Sequence, residues 1–428
     1  MNIQNLSLLL SDKVSKREIL SKFKQIGDFY LKSFDERRDI VFKKLSFTLK
    51  NAYENIPFFY NLAEDHKINN IFLNFKIENL KEIPFMDKDT LRINRKFLLR
   101  PDFTNKIQNC YTNGSTGGRV AVAYDQESID WSSAVMLFCR NLYGHKLINK
   151  EVHLATDTRS RGNKVERLGQ FSKELVNNRS NIFIKDFKKE STFDYLKELR
   201  GYRANLLHGM PSQINGLVSE SMDKFKIPFI ETSGEFLRKE QRVKIEEFFS
   251  ARVIDRYGLA ESGIVAYQMP KQENLSVIDF HTFVEVDDSG EIVITNLNNH
   301  IMPLIRYRTG DFCEKKGSLG GFEQIKMKSG REHTLINFEG NKLNTATIED
   351  LIFQINGVKD LQFQITKNKK IAKILVDNEN PNKLDETKQI VNQYTKTNIG
   401  DNIINAKKSD FKFSGTQSKQ LRVVIIDV

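Results

Sequence analysis

The feature that most restricts the fold is a strand–loop–helix–strand succession in the middle of the chain. "RANLLHG" reads as a strand closed by Gly209 and Pro211, and "KIPFIETSGE" as a strand running into a loop. "LRKEQRVKIEEFFS" places Leu237, Ile245, Phe248 and Phe249 on one helical face, and "ARVIDRYG" is the next strand. "EVHLAT" supplies another strand upstream. Strands separated by amphipathic helices are βαβ units, which require a parallel sheet covered on both faces. Ligands of such sheets gather at loops leaving the strand C-termini, here "TSGE" and "YGLAES".

Around this centre the grammar changes twice. The first hundred residues read as mostly helical. "DERRDIVFKKLSFTLKNAYENIPFF" opens on Asp35 and Glu36, carries an apolar stripe and ends before Pro57. "MDKDTLRINRKFLL" is a short helix with Asp87 as its cap. After the parallel segment, "DFHTFVEVDDSGEIVITNL" alternates and turns at Asp288-Ser289-Gly290, a β-hairpin, and "MPLIRYRTGDF" is a further strand. "KMKSGREHTLINFEGNKL" is rich in Gly and charge and marks a domain boundary near Gly330–His333. Beyond it lie a helix ("NTATIEDLIFQI"), a hairpin ("LQFQITKNKKIAKILVDN"), a helix ("NKLDETKQIVNQYTK") and a last strand ("LRVVIIDV"). The expected fold is α/β: a large N-terminal domain with βαβ-type sheets and a β-rich subdomain, then a small α+β domain.

The segment "YTNGSTGGRVAVAYD" precedes the parallel region. Its small residues suit a tight turn between two strands. They also suit a phosphate cradle, since glycines let backbone N–H groups approach a polyphosphate and hydroxyls add donors. It is not a Walker loop, because Gly117 is followed by Gly118 and Arg119 rather than Lys-Ser/Thr. Glu261 in "DRYGLAESG" is either a solvated loop carboxylate or a Mg²⁺ ligand beside a nucleotide. Asp311 in "RYRTGD" is a turn aspartate or an acceptor for ribose hydroxyls. Arg306 and Arg308 alternate on one strand face, to bind an anion or to pair with acids. His208 ends a strand as a structural histidine or a substrate contact. Lys419 in "FSGTQSKQLRV" is surface decoration, or a charge that a mobile domain delivers to a reacting phosphate.

Lys and Arg number 66 against 55 Asp and Glu, a net charge of +11 spread along the chain without long blocks. No nucleic-acid-binding motif accompanies it, and a basic rim also suits a phosphate-rich ligand. Cys110, Cys139 and Cys313 are too few and too scattered for a disulfide framework or zinc, and point to reduced thiols in a cytoplasmic protein. The N-terminus lacks the pattern of a signal peptide, and no stretch of about 18 apolar residues suggests a membrane span.

The order of glycine loop, Tyr-Gly-x-x-Glu, Tyr-Arg-Thr-Gly-Asp, Gly-Arg and late lysine resembles the adenylate-forming acyl-CoA synthetase superfamily. Within it the chain is similar to the phenylacetate–coenzyme A ligase family, including relatives found with capsule-polysaccharide genes. "AYENIPFFY" and "EIPFMDKDTLR" resemble that family's entry segments. The resemblance implies that Thr112, Asn113, Gly114, Ser115, Thr116 and Gly117 wrap the β- and γ-phosphates of ATP. It implies that Ser233, Gly234 and Glu235 border the adenine, that Tyr257 stacks nearby and that Glu261 binds Mg²⁺. Asp311 would hold the ribose with Arg331 close by, and Lys419 would complete the adenylation site. The implied division is an adenylation domain at 1–330, a hinge at 331–333 and a mobile domain at 334–428. The implied activity makes an acyl adenylate from an aromatic or other small acid and passes the acyl group to coenzyme A. A carrier-protein thiol, or an amine or hydroxyl in a surface-glycan pathway, stays open as acceptor, as do a non-catalytic nucleotide-binding scaffold and a homodimer. The chain departs from the family pattern in lacking a lysine after Gly117, in carrying His333 where Asp is usual, and in placing Ser418 before Lys419 where Gly is usual.

Overall fold

The structure, a computed structural model, describes residues 17–111, 120–146, 149–155, 178–184, 189–218, 224–319, 322–331, 335–338, 340–353, 355, 358–366, 370–378, 380–411 and 423–426. The chain divides into two units: one runs to Thr309 and takes in Cys313–Met327, the other holds Gly310–Phe312 and everything from Lys328.

The first unit begins with helices α1 (Ile19–Tyr30), α2 (Phe34–Asn55) and α3 (Pro57–Asp65). Local chemistry sets their ends. Ser33 and Glu36 form a capping box, the Ser33 side chain taking the Glu36 N–H while Glu36 takes the Ser33 N–H at 2.9 Å. Pro57 ends α2 because the residue before it, Ile56, is driven to extended backbone (φ −118°, ψ 110°); the same proline then opens α3. Val41, Leu45, Leu49 and Ala52 form the buried stripe of α2. Helix α4 (Lys88–Ile93) is capped by Asp87, which accepts the Thr90 N–H at 2.7 Å. A hairpin follows, β1 (Gln108–Tyr111) against β2 (Ala121–Tyr124), and then α5 (Gln126–Asn141).

Next come the parallel strands β3 (Glu151–Ala155), β4 (Arg179–Phe183), β5 (Leu206–Gly209), β6 (Phe229–Thr232) and β7 (Arg252–Leu259), side by side in the order β4-β3-β5-β6-β7. Between them lie helices α6 (Lys189–Tyr202), α7 (Pro211–Leu217) and α8 (Lys239–Phe249). Val152, Leu207, Ile230 and Val253 pack on Leu196, Leu199, Ile214, Ile245 and Phe249 in one core. Strands β8 (Gly263–Gln268), β9 (Leu275–Val277), β10 (Thr282–Val286), β11 (Glu291–Asn296), β12 (Tyr307–Leu319) and β13 (Phe322–Arg331) extend the sheet from β7 in the order β8-β9-β13-β12-β11-β10, with β7–β8, β8–β9, β9–β13 and β10–β11 antiparallel, eleven strands among the described residues.

One expectation needs correction. "MPLIRYRTGDF" becomes strand only at Tyr307. Arg306 sits at φ 49°, with its N–H bonded to Thr295 Oγ1 and its guanidinium to the Lys81 and Ile83 carbonyls. That left-handed residue stops the strand from beginning earlier. The Gly- and charge-rich "KMKSGR" forms the end of β13.

The second unit holds the hairpin β14 (Leu335–Phe338) and β15 (Asn341–Asn344), helices α9 (Thr345–Phe353) and α10 (Leu384–Thr395), and a sheet of β16 (Val358–Thr366), β17 (Ile371–Asn378), β18 (Ile403–Asn405) and β19 (Val423–Ile426). The order is β18-β17-β16-β19, antiparallel only at its centre. Ile348, Ile352, Leu361, Phe363, Val376 and Val391 close its own core. Among the described residues, no helix is long and apolar enough to cross a membrane.

Candidate active site

The site is built from the C-terminal ends of β6 and β7. Ser233 and Gly234 follow β6, and Gly234 takes φ +84°, which lets the chain turn sharply off the strand. Glu235 accepts the N–H of Ser212 at 3.1 Å, tying this turn to the start of α7. Tyr257 lies on the neighbouring strand β7, buried, two residues beyond the Thr232–Asp255 pair. Glu261 stands in the turn from β7 to β8, also buried, and its Oε1 accepts from Tyr307 Oη at 3.3 Å. The turn is tight because Gly258 lies against the Gly263 carbonyl.

The same turn is joined to the hairpin β1–β2. Tyr124 Oη, at the base of that hairpin, donates to the Ala260 carbonyl at 3.3 Å. Burial pushes the Tyr124 phenol well up, and Cys110 and Glu261 add to the shift. The hairpin that carries the Gly-Ser-Thr segment is thereby rooted beside Glu261. Thr112 to Gly117 themselves lie outside the described residues, as do Lys419 and two residues of the expected hinge, Glu332 and His333. Asp311 is a buried residue of β12, and Arg331 is the last residue of β13.

Arg306 and Arg308 pair with acids. Arg306 meets Glu285 at 3.0 Å, and Arg308 meets Asp287 at 2.9 Å and Glu291. Of the three thiols, Cys139 and Cys313 are buried fillers and Cys110 is half-buried.

Sequence reasoning missed a charged network under the same strand ends. Glu231 of β6 is wholly buried. Arg140 of α5 grips it with two parallel bonds of 2.9 Å, while Arg256 reaches it at 2.9 Å and Tyr267 Oη at 3.1 Å. Arg140 also donates to Glu151 at 2.9 Å, and Glu151 meets His145, His153 and Arg179. Burial alone would raise the Glu231 carboxyl, but Arg140 and Arg256 outweigh it and hold it well below the ordinary range. Arg256 also donates to Ser233 Oγ at 3.0 Å, so the network touches the first turn residue. The signal was available: Glu151, His153 and Glu231 interrupt strands that a doubly covered parallel sheet would keep apolar.

No family model matches the chain. A phenylacetate-coenzyme A ligase of Escherichia coli (strain K12) is 23% identical over 368 residues, covering 79% of this chain and 80% of the relative. An indoleacetate–lysine synthetase of Pseudomonas savastanoi is 24% identical, covering 69% and 75%. Among solved structures, a 2-hydroxyisobutyryl-CoA ligase in the postadenylation state superposes with a TM-score of 0.69 at 14% identity, over 92% of this chain and 90% of that one. The chain is similar to phenylacetate–coenzyme A ligases and has the fold of the adenylate-forming CoA ligases.

Proposed function

We propose that the protein activates a small carboxylic acid with ATP and passes the acyl group to the thiol of coenzyme A. The observation that supports this most is the hydrogen bond that roots the glycine-rich hairpin beside the Glu261 turn, within a fold shared with CoA ligases. A carboxylate is a poor acyl donor. Its attack on the α-phosphorus of ATP expels pyrophosphate and leaves an acyl adenylate. The thiol then displaces AMP, with its proton passing to solvent.

Each residue has a part. Backbone amides of Thr112 to Gly117 cradle the β- and γ-phosphates, which offsets the missing loop lysine. Ser233, Gly234, Glu235 and Tyr257 border the adenine, and Asp311, with Arg331, receives the ribose. Glu261 suits a Mg²⁺ ligand: Tyr307 holds one carboxylate oxygen, and the other has no hydrogen-bond partner among the described residues. One carboxylate with substrate phosphates is the ligand set that Mg²⁺ favours, and the ion would offset phosphate charge. Lys419 adds its charge from the C-terminal domain for adenylation, and that domain, hinged at 331–333, turns away for thiolysis. We place the protein in the cytoplasm, where ATP and coenzyme A are at hand.

The test is pyrophosphate release with ATP and Mg²⁺ over aryl, hydroxyaryl, fatty and sugar acids, with and without coenzyme A, with products identified by mass. An acyl-CoA is the expected product. No acid-dependent release from folded protein contradicts the reading. A second reading, transfer to an amine or hydroxyl acceptor such as one in surface-polysaccharide synthesis, draws on the similarity to an indoleacetate–lysine synthetase. It predicts adenylate formation without thioester.

A further inference from the structure

His153 and His208 lie side by side where the strand order reverses. They are register partners on β3 and β5, with ring centroids 4.8 Å apart. On one side of this pair of strands lies β4; on the other the chain continues through β6 and β7. In open α/β sheets such a reversal opens a crevice that admits ligands.

Each ring is anchored to a carboxylate. His153 Nε2 lies 3.0 Å from Glu151 Oε2. His208 Nδ1 lies 3.1 Å from Glu231 Oε1, off the ideal hydrogen-bond line, and no other acceptor faces it among the described residues. Ionised carboxylates only accept, so the anchored nitrogens carry the protons. Burial, together with Arg140 near both rings, Arg179 near His153 and Arg256 near His208, lowers both imidazoles and keeps them neutral. The remaining nitrogens, Nδ1 of His153 and Nε2 of His208, are then lone-pair acceptors without a partner among the described residues. The two side chains are 14% and 17% exposed, whereas Arg140 and Glu231 beneath them are closed off at 4% and 0%.

Resting on the acid-activating reading above, we propose that the His153–His208 pair selects acids whose tail carries a hydroxyl or N–H donor, by accepting a hydrogen bond from it. A hydrocarbon tail leaves two half-buried acceptors unpaired, the arrangement in which pockets discriminate most strongly. A second carboxylate on the tail is disfavoured, because it brings acceptors to acceptors. The guanidiniums of Arg140, Arg179 and Arg256 are already paired with Glu151 and Glu231.

The experiment measures kcat/KM for pyrophosphate release by the full-length protein with matched acids. The pairs are phenylacetate with its 3- and 4-hydroxy forms, and butyrate with 3-hydroxybutyrate and 3-aminobutyrate. The donor-bearing acid of at least one pair should win by about a hundredfold. His153→Leu and His208→Leu should bring that ratio to within about threefold, and His208→Asn, which keeps a polar acceptor, should recover part of it. Equal use of both acids in every pair, or a ratio unmoved by the leucine variants, overturns the inference alone. The wild-type ratio decides even where a variant does not fold. No release from any acid overturns the ligase reading and this inference with it.

Discussion

Two buried charges make opposite statements about stability. Glu231 is fully enclosed, yet Arg140 and Arg256 keep it ionised. Its replacement by Gln should leave those guanidiniums undercompensated and cost about 3–5 kcal/mol, read from urea unfolding. A loss below about 1 kcal/mol would mean that solvent reaches the network. Lys44 is the reverse case. Its Nζ sits 3.8 Å from the Phe280 ring centroid and donates to Asn298 Oδ1 at 2.6 Å. Burial first, and Lys22 second, push its pKa from 10.5 down to about 7. Between those values the unfolded chain binds a proton that the folded chain does not, so stability rises with pH from about 7 towards 10. Below about 7 both states are protonated and this gain is absent. Lys44→Met should flatten that rise between pH 7 and 9.5, and equal slopes in both proteins would reject the assignment.

At the scale of the element, the β7–β8 turn governs where Glu261 stands. A Cβ on Gly258 would meet the Gly263 carbonyl at 2.8 Å, closer than real contacts allow. Gly258→Ala should therefore shift the turn and cost about 1–3 kcal/mol in denaturant unfolding. Catalysis should fall further than that loss of fold explains, because the proposed Mg²⁺ ligand moves with the turn. Tyr307→Phe is the milder probe, since it removes only the hydroxyl that holds Glu261. It should raise the Mg²⁺ needed for half-maximal turnover by about ten- to a hundredfold with little change in unfolding. An unchanged Mg²⁺ response would separate Glu261 from the metal. Elements were largely legible in the sequence wherever a period and a stop signal coincided, as in α2 before Pro57 and α4 after Asp87. Legibility failed where one residue's backbone overrode the pattern. Arg306, held at φ 49° by carbonyls far away in sequence, delays a strand that its neighbours favour.

Across the whole molecule, two units with separate cores match a reaction that needs two geometries. Under the proposed mechanism Lys419 serves only the first. Lys419→Ala should lower acid-dependent pyrophosphate release by about 10²–10³-fold. It should leave thiolysis of a supplied acyl adenylate nearly intact, measured as thioester in single turnover. Equal losses in both half-reactions would remove Lys419 from that role.

The sequence by itself determined the class of fold and the order of candidate site residues. Hydrophobic period, caps and glycine turns act over a few residues, and such local signals survive in a linear string. Only the tertiary structure decided which charges face one another. Arg140, Glu151, His153, His208, Glu231 and Arg256 come from a helix and four strands, the first and last of them 116 positions apart. Their meeting depends on strand order and register, which place His153 beside His208 and His208 beside Glu231. In the linear sequence each is one polar residue in an apolar strand or helix. In the folded sheet, burial strips away much of their water and leaves them to pair with one another and with neighbours such as Tyr267, Ser233, His145 and Arg179.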